Sequence, residues 1–337
     1  MLPSKVFTRE RLTFSFIQVF FLSLLTGASG LFLSYTWTTL SFTHKFWAFV
    51  LLPQPYIYTY LCARPRQASI ITEDNLSFHL KQYPYDNILY HEGRTCRTCR
   101  FAKPARSKHC SLCDACVARA DHHCVWVNNC VGYGNYKYFL ALLLSCSILL
   151  AYGAYLAYLD LSPKVSDHIE RFPRWHQRYY TDRQDLFSRL IMKRVEVWID
   201  ALGTAFMIGG VAVGAVGMLA LLTSPLPAGL LGYHIYLIWA GMTTNESGKW
   251  ADFKEDMYDG LVWVKDVDPR QSAIATGNPY VQDEYQWPTR SRLFAVVNFN
   301  AQQPDDNPHW RRAWKLADVE NIYDLGFIES LKHVLRN

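Results

Sequence analysis

The chain has little cysteine outside one window: of nine cysteines in 337 residues, only Cys62 and Cys146 fall outside the stretch from Cys96 to Cys130. That placement excludes a small disulfide-stapled scaffold. Charge is also scarce, at 19% of residues, and it is missing in long runs rather than thinly spread. No charged residue occurs from Leu12 to Tyr35, from Tyr138 to Leu159 or from Ala201 to Asn245. With half of the residues hydrophobic, disorder and collagen are excluded. There is no internal repeat and no low-complexity tract. No paired charge sits inside the apolar runs, which disfavours a channel or transporter path. The net charge of +5 is too small to argue for nucleic acid, and a zinc-finger reader is a poor fit for a cluster lying between two spans. A mean hydropathy of -0.05 therefore averages two populations, one apolar and one polar.

The apolar runs read as membrane spans, since about 20 apolar residues cross the hydrocarbon core as a helix. Leu12 to Tyr35 is long enough, with Lys5, Arg9 and Arg11 before it. Gly27, Ala28, Ser29 and Gly30 leave a cleaved signal peptide as the competing reading. Phe46 to Cys62 is the weakest span, broken by Pro53 and Pro55 but carrying Trp47, Tyr56, Tyr58 and Tyr60, which suit an interface. Tyr138 to Leu159 is the cleanest. The run of 45 residues from Ala201 is interrupted at Ser224-Pro225-Leu226-Pro227 and reads as one long kinked helix or a helical hairpin. Gly210 and Gly214, four apart within it, point to close helix packing. His234 reads as a hydrogen-bonded packing histidine, and Cys62 and Cys146 as inert. Residues 247–337 carry fourteen acidic and eleven basic side chains, a strand-like Leu293 to Phe299 and a helical pattern through Phe327, Leu331 and Val334, which make a small tail domain.

Charge counting orients the chain weakly. Basic residues exceed acidic by ten to six over 63–136, but also by eight to five over 160–195. The basic N-terminus and the free thiols place the cysteine window in the cytosol. The sequons at Asn75 and Asn245 also fall on the cytosolic side, where a glycan on either would contradict this topology.

The cysteine window reads Cys96-x2-Cys99, His109-Cys110-x2-Cys113-x2-Cys116, Asp121-His122-His123-Cys124 and Cys130. Cysteines two residues apart present thiolates to one tetrahedral ion, so repeated pairs point to structural zinc. Ten cysteines and histidines stand in 35 positions, and two tetrahedral sites consume eight. One histidine and one cysteine are left over, or Cys124 is itself a ligand in a membrane-anchored zinc adaptor. The order Asp121-His122-His123-Cys124 offers a nucleophile, a base and a carboxylate to orient the base. A thiol with a pKa of about 8.5 needs such a base near neutral pH. A site of three cysteines and one histidine is net negative and would not supply that help.

These residues resemble a family. Asp121-His122-His123-Cys124, with Trp126, Asn128, Asn129, Cys130, Gly132, Asn135 and Tyr136 after it, looks like the DHHC protein S-acyltransferases. Thr243-Thr244-Asn245-Glu246 matches the family's TTxE motif, and Asn321-Ile322-Tyr323-Asp324-Leu325-Gly326 resembles its C-terminal aromatic motif. Tyr83-Pro84-Tyr85-Asp86, Lys103-Pro104-Ala105-Arg106-Ser107-Lys108 and Met242 before the TTxE motif further resemble the fungal spore-wall-formation subfamily. The chain departs from the family at Val125, where proline usually follows the catalytic cysteine.

The resemblance implies one zinc on Cys96, Cys99, His109 and Cys116 and a second on Cys110, Cys113, His123 and Cys130. It implies Cys124 as nucleophile, His122 as base and Asp121 orienting it. Thr244 then stands near Asp121, with Asn321 and Tyr323 as structural support. It implies four transmembrane helices with one crossing in the last apolar run: spans one and two in 1–62, the cytosolic two-zinc domain in 63–136, spans three and four in 137–241 around a lumenal loop at about 160–196, and a cytosolic tail in 242–337. The reaction implied is transfer of a long acyl chain from palmitoyl-CoA through a Cys124 thioester to juxtamembrane cysteines of membrane proteins. An apolar cavity among the spans would suit that chain, at about 0.8 kcal/mol per buried methylene. Lys103, Arg106 and Lys108 are candidates for the CoA phosphates and Trp126 for a wall of the thioester site. The implied address is the endoplasmic reticulum, with the Golgi as the alternative. A zinc module without catalytic activity, binding only protein partners, is the rival class.

Overall fold

Uncharged runs have one way to satisfy their backbone in lipid, which is to close every hydrogen bond within a helix. The computed structural model describes residues 16–64, 69–173, 186–266, 287–288, 292–297, 304, 309–316 and 319–336, without the side chains of 186–194 and 196. Lys5, Arg9, Arg11 and the first residues of the leading run lie outside the described residues. Among the described residues, three helical stretches are long and apolar enough to cross a membrane: α1 (Phe16–Thr36), α5 (Tyr136–Arg171) and Val211–Trp239. Large apolar side chains such as Phe16, Phe20 and Leu222 face outward, as an apolar solvent requires.

The weakest predicted span forms two helices, α2 (Phe42–Leu51) and α3 (Gln54–Ala63). Leu52 keeps helical dihedrals and donates to Ala48, while Ile57 donates to Pro53, so the break at Pro53, which has no N–H to give, is confined to the two residues between the helices. A short helix α4 (Leu76–Leu80) follows.

Two boundaries differ from the sequence reading. Helix α5 runs on to Arg171, through Pro163, into what was expected to be the loop at about 160–196. Buried Leu161 and Val165 and the ion pairs Asp160–Lys164 at 2.6 Å and Asp167–Arg171 at 3.0 Å carry it past the proline. Within the last apolar run, the chain breaks at Gly210 rather than at Pro225. Helix α6 (Leu186–Gly209) ends there, and Gly210 takes φ +55°, a region that favours glycine. A π-type turn (Val211–Ala215), α7 (Val216–Thr223) and α8 (Pro225–Trp239) follow as one path. Pro225 stands first in its helix, where it has no N–H to lose. Gly214 supports this turn: a β-carbon there would lie 2.9 Å from Phe206 Cα.

The chain divides into two compact units. The first, residues 1–58 and 141–231, has a core of Phe32, Leu40, Leu156, Ala157, Leu161, Ala212 and Val213. His44 Nδ1 lies 2.8 Å from the Tyr152 hydroxyl within it. The second unit, residues 59–140 and 232–337, holds the cysteine window and the tail together. Among the described residues its strands form three small antiparallel sheets. The first orders β1 (Ile70–Ile71), β3 (Ala115–Val117) and β2 (Lys108–Cys110), with β3 central. A hairpin joins β4 (His122–Cys124) to β5 (Asn129–Val131). In the tail, β6 (Val262–Asp266) pairs with β7 (Arg292–Val296), the strand-like segment seen in the sequence, and with β8 (Arg311–Arg312). Helix α9 (Thr244–Tyr258) packs Trp250, Phe253 and Met257 onto Val262 and Val264. Helix α10 (Phe327–Arg336) closes the described chain, as its apolar spacing predicts.

Gly217 packs its bare Cα against Ala157 so closely that a β-carbon would collide with that methyl. Gly217→Val should therefore cost about 1–3 kcal/mol, read as a lowered Tm of the detergent-purified protein. Adding Ala157→Gly should restore part of the loss, and no recovery would argue against this contact.

Candidate active site and metal centres

The first set of metal ligands is assembled from one turn and the β2–β3 pair, and the second from the end of β2, the turn after it and the β4–β5 pair. Cys96 and Cys99 share a tight turn in which the Cys99 N–H donates to Cys96 Sγ at 3.4 Å. Arg100 ends that turn at φ +63°. Across the β2–β3 pair, His109 stands opposite Cys116. Cys99 Sγ and Cys116 Sγ lie 3.4 and 3.9 Å from His109 Nδ1. In the second set, Cys110, Cys113 and Cys130 place their sulfurs 3.7, 3.4 and 3.6 Å from His123 Nδ1. The donor atoms of each set all lie within 4.8 Å of one another. A tetrahedral zinc with Zn–S of about 2.3 Å and Zn–N of about 2.0 Å has ligand-to-ligand edges of about 3.5–3.8 Å. Both sets fit that figure, and their donors are the thiols and imidazoles that zinc takes.

Strand geometry separates neighbours that share a sequence. Successive side chains of a strand point to opposite faces. Hence His109 joins the first set while adjacent Cys110 joins the second. In β4, His123 joins Cys130 directly opposite it, and His122 and Cys124 fall together on the other face. The turn between β4 and β5 holds Val125, Trp126, Val127 and Asn128, closed by Asn128 at φ +50°. Trp126, expected to wall the thioester site, is 51% exposed on that turn.

His122 Nδ1 lies 2.7 Å from Asp121 Oδ2, leaving its other nitrogen for Cys124, whose sulfur also hydrogen-bonds to it. The Thr244 N–H donates to Asp121 Oδ1 at 2.9 Å, so both carboxylate oxygens are engaged. Burial alone would raise the Asp121 pKa, but the bonds from His122 and Thr244 hold it below the ordinary carboxylate value. Burial likewise pulls His122 down, and Asp121 and Cys124 outweigh it, lifting the imidazole to about 9. Cys124 itself is buried.

The ring of Phe139 packs edge-on to His122 at 5.1 Å, and His234 lies 6.0 Å away. His234 is buried and hydrogen-bonded to the Tyr136 hydroxyl at 2.9 Å, as a packing histidine should be. Its place beside His122 was not legible, because 112 residues separate the two. Two asparagines fix the hairpin's base: Asn129 and Asn135 donate to the Cys62 carbonyl at 3.0 and 3.1 Å. Gly132 is needed for approach, since a β-carbon would stand 2.8 Å from the Ala118 carbonyl.

Thr243-Thr244-Asn245-Glu246 is a capping box at the start of α9, with Thr243 accepting from the Glu246 N–H and Glu246 accepting from the Thr243 N–H. A T-x-x-E pattern before a helix carries that signal in any sequence. Thr243 Oγ1 also donates to the Ala120 carbonyl at 3.1 Å. Arg106 departs from expectation. Its guanidinium is 3% exposed and donates through Nε and Nη2 to both oxygens of Glu246, and to the Gly241 carbonyl. The rings of Tyr323 and Tyr83 lie 4.4 and 5.1 Å from it. A cation so fully engaged cannot serve as a phosphate ligand at the mouth. Lys103 is half-buried and Lys108 exposed. Sequence reasoning missed Lys249, whose pKa is lowered by burial and further by Lys103 and Lys108, against the carboxylate of Glu246. Asn321 donates to the Ala240 carbonyl at 2.9 Å and Tyr323 to the Pro84 carbonyl at 2.8 Å, which ties the aromatic motif down.

With this geometry in view, comparison with known proteins is informative. A family model described as DHHC palmitoyltransferase matches residues 89–251. The chain is 38% identical over 334 residues to Palmitoyltransferase SWF1 of Neurospora crassa, covering 94% of this chain and 74% of that one. It is 38% identical over 337 residues to Palmitoyltransferase swf1 of Aspergillus fumigatus, covering 94% and 85%. It is also 35% identical over 219 residues to Palmitoyltransferase ZDHHC4 of Mus musculus, covering 63% and 58%.

Removing one member of the buried Arg106–Glu246 pair strands the other charge. Glu246→Leu and Arg106→Met should each cost about 3–5 kcal/mol, and the double variant should recover much of that. Thermal unfolding of the three proteins checks this, and additive losses would contradict a direct pair.

Proposed function

Because the chain belongs to the DHHC palmitoyltransferase family, and so is a membrane protein S-palmitoyltransferase, we propose that Cys124 carries the acyl group between a long-chain acyl-CoA and cysteines of membrane proteins. The observation that carries this reading is the shared face of β4, on which Asp121-held His122 meets Cys124 while His123 turns away. Cys124 passes its proton to the free ring nitrogen of His122. The thiolate attacks the acyl-CoA carbonyl carbon, and a bond from that carbon to Cys124 Sγ replaces its bond to the CoA sulfur. The departing CoA thiolate takes the proton from His122. In the second half, the acceptor cysteine gives its proton to His122 and attacks the acyl-Cys124 carbonyl. Cys124 then leaves as thiolate and recovers the proton. Asp121 holds the ring orientation throughout, and the Thr244 N–H holds Asp121.

Zinc in the two cysteine–histidine sets would pin the strand pairs that present this face, which is a structural service. Lys103 and Lys108, joined by Lys249, are the cations proposed for the CoA phosphates. Trp126 is proposed as a wall on the acyl side. Asn321 and Tyr323 act as supports through Ala240 and Pro84. Four crossings are proposed, the second being α2 and α3 together; the 22 residues from Phe42 to Ala63 would reach about 33 Å at 1.5 Å each, enough for the core. On this topology residues 63–136 and 242–337 are cytosolic and the stretch at about 160–196 lumenal. The endoplasmic reticulum membrane is the proposed address, with the Golgi as the alternative.

Purified protein incubated with labelled palmitoyl-CoA should acquire hydroxylamine-labile label, and Cys124→Ser should lose it while keeping its metal content. Labelling that survives in Cys124→Ser would instead favour a zinc module whose acylation occurs elsewhere. Asp121→Asn should lower the rate of label uptake at least tenfold while leaving the protein folded, checked by single-turnover kinetics and Tm.

A further inference from the structure

Arg119 has no role in the chemistry above, yet its environment is unusual. It stands on the turn between β3 and β4, two residues before Asp121, at φ +42°. Its side chain is 5% exposed, with the Tyr136 ring 4.9 Å from the guanidinium. Among the described residues no carboxylate pairs with it, and its Nε is buried without a hydrogen-bond partner. A guanidinium withdrawn from water without a counter-charge is strongly disfavoured unless an anion reaches it.

Arg119 lines a narrow cleft, partly open to solvent, whose other walls include Arg106, Tyr323, Trp287, Ser330 and His333. Arg106 is neutralised by Glu246, so among the described residues the wall keeps one unbalanced positive charge. Ser330, on α10, is 7% exposed, and its hydroxyl oxygen is also buried without a partner. His333 stays neutral beside them, its pKa held down to about 3 by burial first and then by Arg119 and Arg106. Two residues from separate elements, each with a buried unpartnered donor, thus border one cleft.

We propose that this cleft binds an oxyanion of the phosphate class, one of whose oxygens accepts from Arg119 and from the Ser330 hydroxyl. A guanidinium fork and a hydroxyl match the oxygens of a phosphate. Water would fill the space without balancing the charge. The cleft has room for about one water-sized group, so a phosphate would enter by a single oxygen from the open side, whether free or borne on a lipid headgroup. Bound there, it would tie α10 to the turn that leads into Asp121.

The test uses the full chain without acyl-CoA, followed by thermal unfolding. In detergent, sodium phosphate is compared with sodium chloride at matched ionic strength. In nanodiscs, phosphatidic acid is compared with phosphatidylcholine alone. A saturable rise in Tm with phosphate in detergent identifies a free anion as the source, and one seen only with phosphatidic acid identifies a headgroup. Either rise should vanish in Arg119→Gln and at least halve in Ser330→Ala. No saturable rise in either arm, an equal rise with chloride, or an undiminished rise in Ser330→Ala overturns the proposal. The serine variant decides alone if Arg119→Gln fails to fold.

Discussion

A β-strand sends consecutive side chains to opposite faces, and the cysteine window depends on that constraint twice. On β2 it sends His109 to one metal set and Cys110 to the other, so two adjacent residues serve sites that share no ligand. On β4 it sends His123 to the second set and leaves His122 and Cys124 facing the other way. A helix could not do this, because neighbours there differ by about 100° and not by 180°. Strands of three residues are too short to hold themselves, and a metal ion on the thiol and imidazole sets, whose members stand mid-strand at His109, Cys116, His123 and Cys130, would keep the alternation in register. The proposed chemistry at Cys124 thus depends on the metal sets mechanically, through strand pairing.

A second layer fixes the carboxylate behind the base. The capping box that starts α9 turns Thr244 so that its N–H reaches Asp121, and Thr243 reaches the Ala120 carbonyl beside it. Glu246 completes the cap while accepting from Arg106, whose guanidinium lies against Tyr83 and Tyr323. One buried carboxylate therefore joins the loop before β2, the start of α9 and the C-terminal aromatic motif. Burial raises the Glu246 pKa, but Arg106 outweighs it and keeps the carboxyl below its ordinary range.

Much of this was legible in the residues, and the failures have physical causes. Uncharged runs announced the helices, because lipid punishes charge and unpaired backbone alike. Cysteine spacing announced two metal sets, but assigning His109 and Cys110 to different sets needed either the family resemblance or the strand register. Pro225 was a misleading break, since proline is harmless where a helix begins, whereas Gly210 hid the true break among the eight glycines of that run. Arg106 looked like a surface cation because sequence shows charge and not its partner, and Glu246 lies 140 residues away. The capping box was readable as T-x-x-E, and its link to Arg106 was not. The partners of β7 escaped notice because strand pairing is decided by tertiary contacts rather than by local pattern.

The central claim is that two adjacent histidines, His122 and His123, do different work because they face different ways. Metal content measured together with acyl uptake on His122→Ala and His123→Ala tests it most directly. The account predicts that His122→Ala keeps two metal ions per chain and takes up no acyl group, while His123→Ala loses one of the ions. Loss of a metal ion from His122→Ala, or full metal content in His123→Ala, would contradict it.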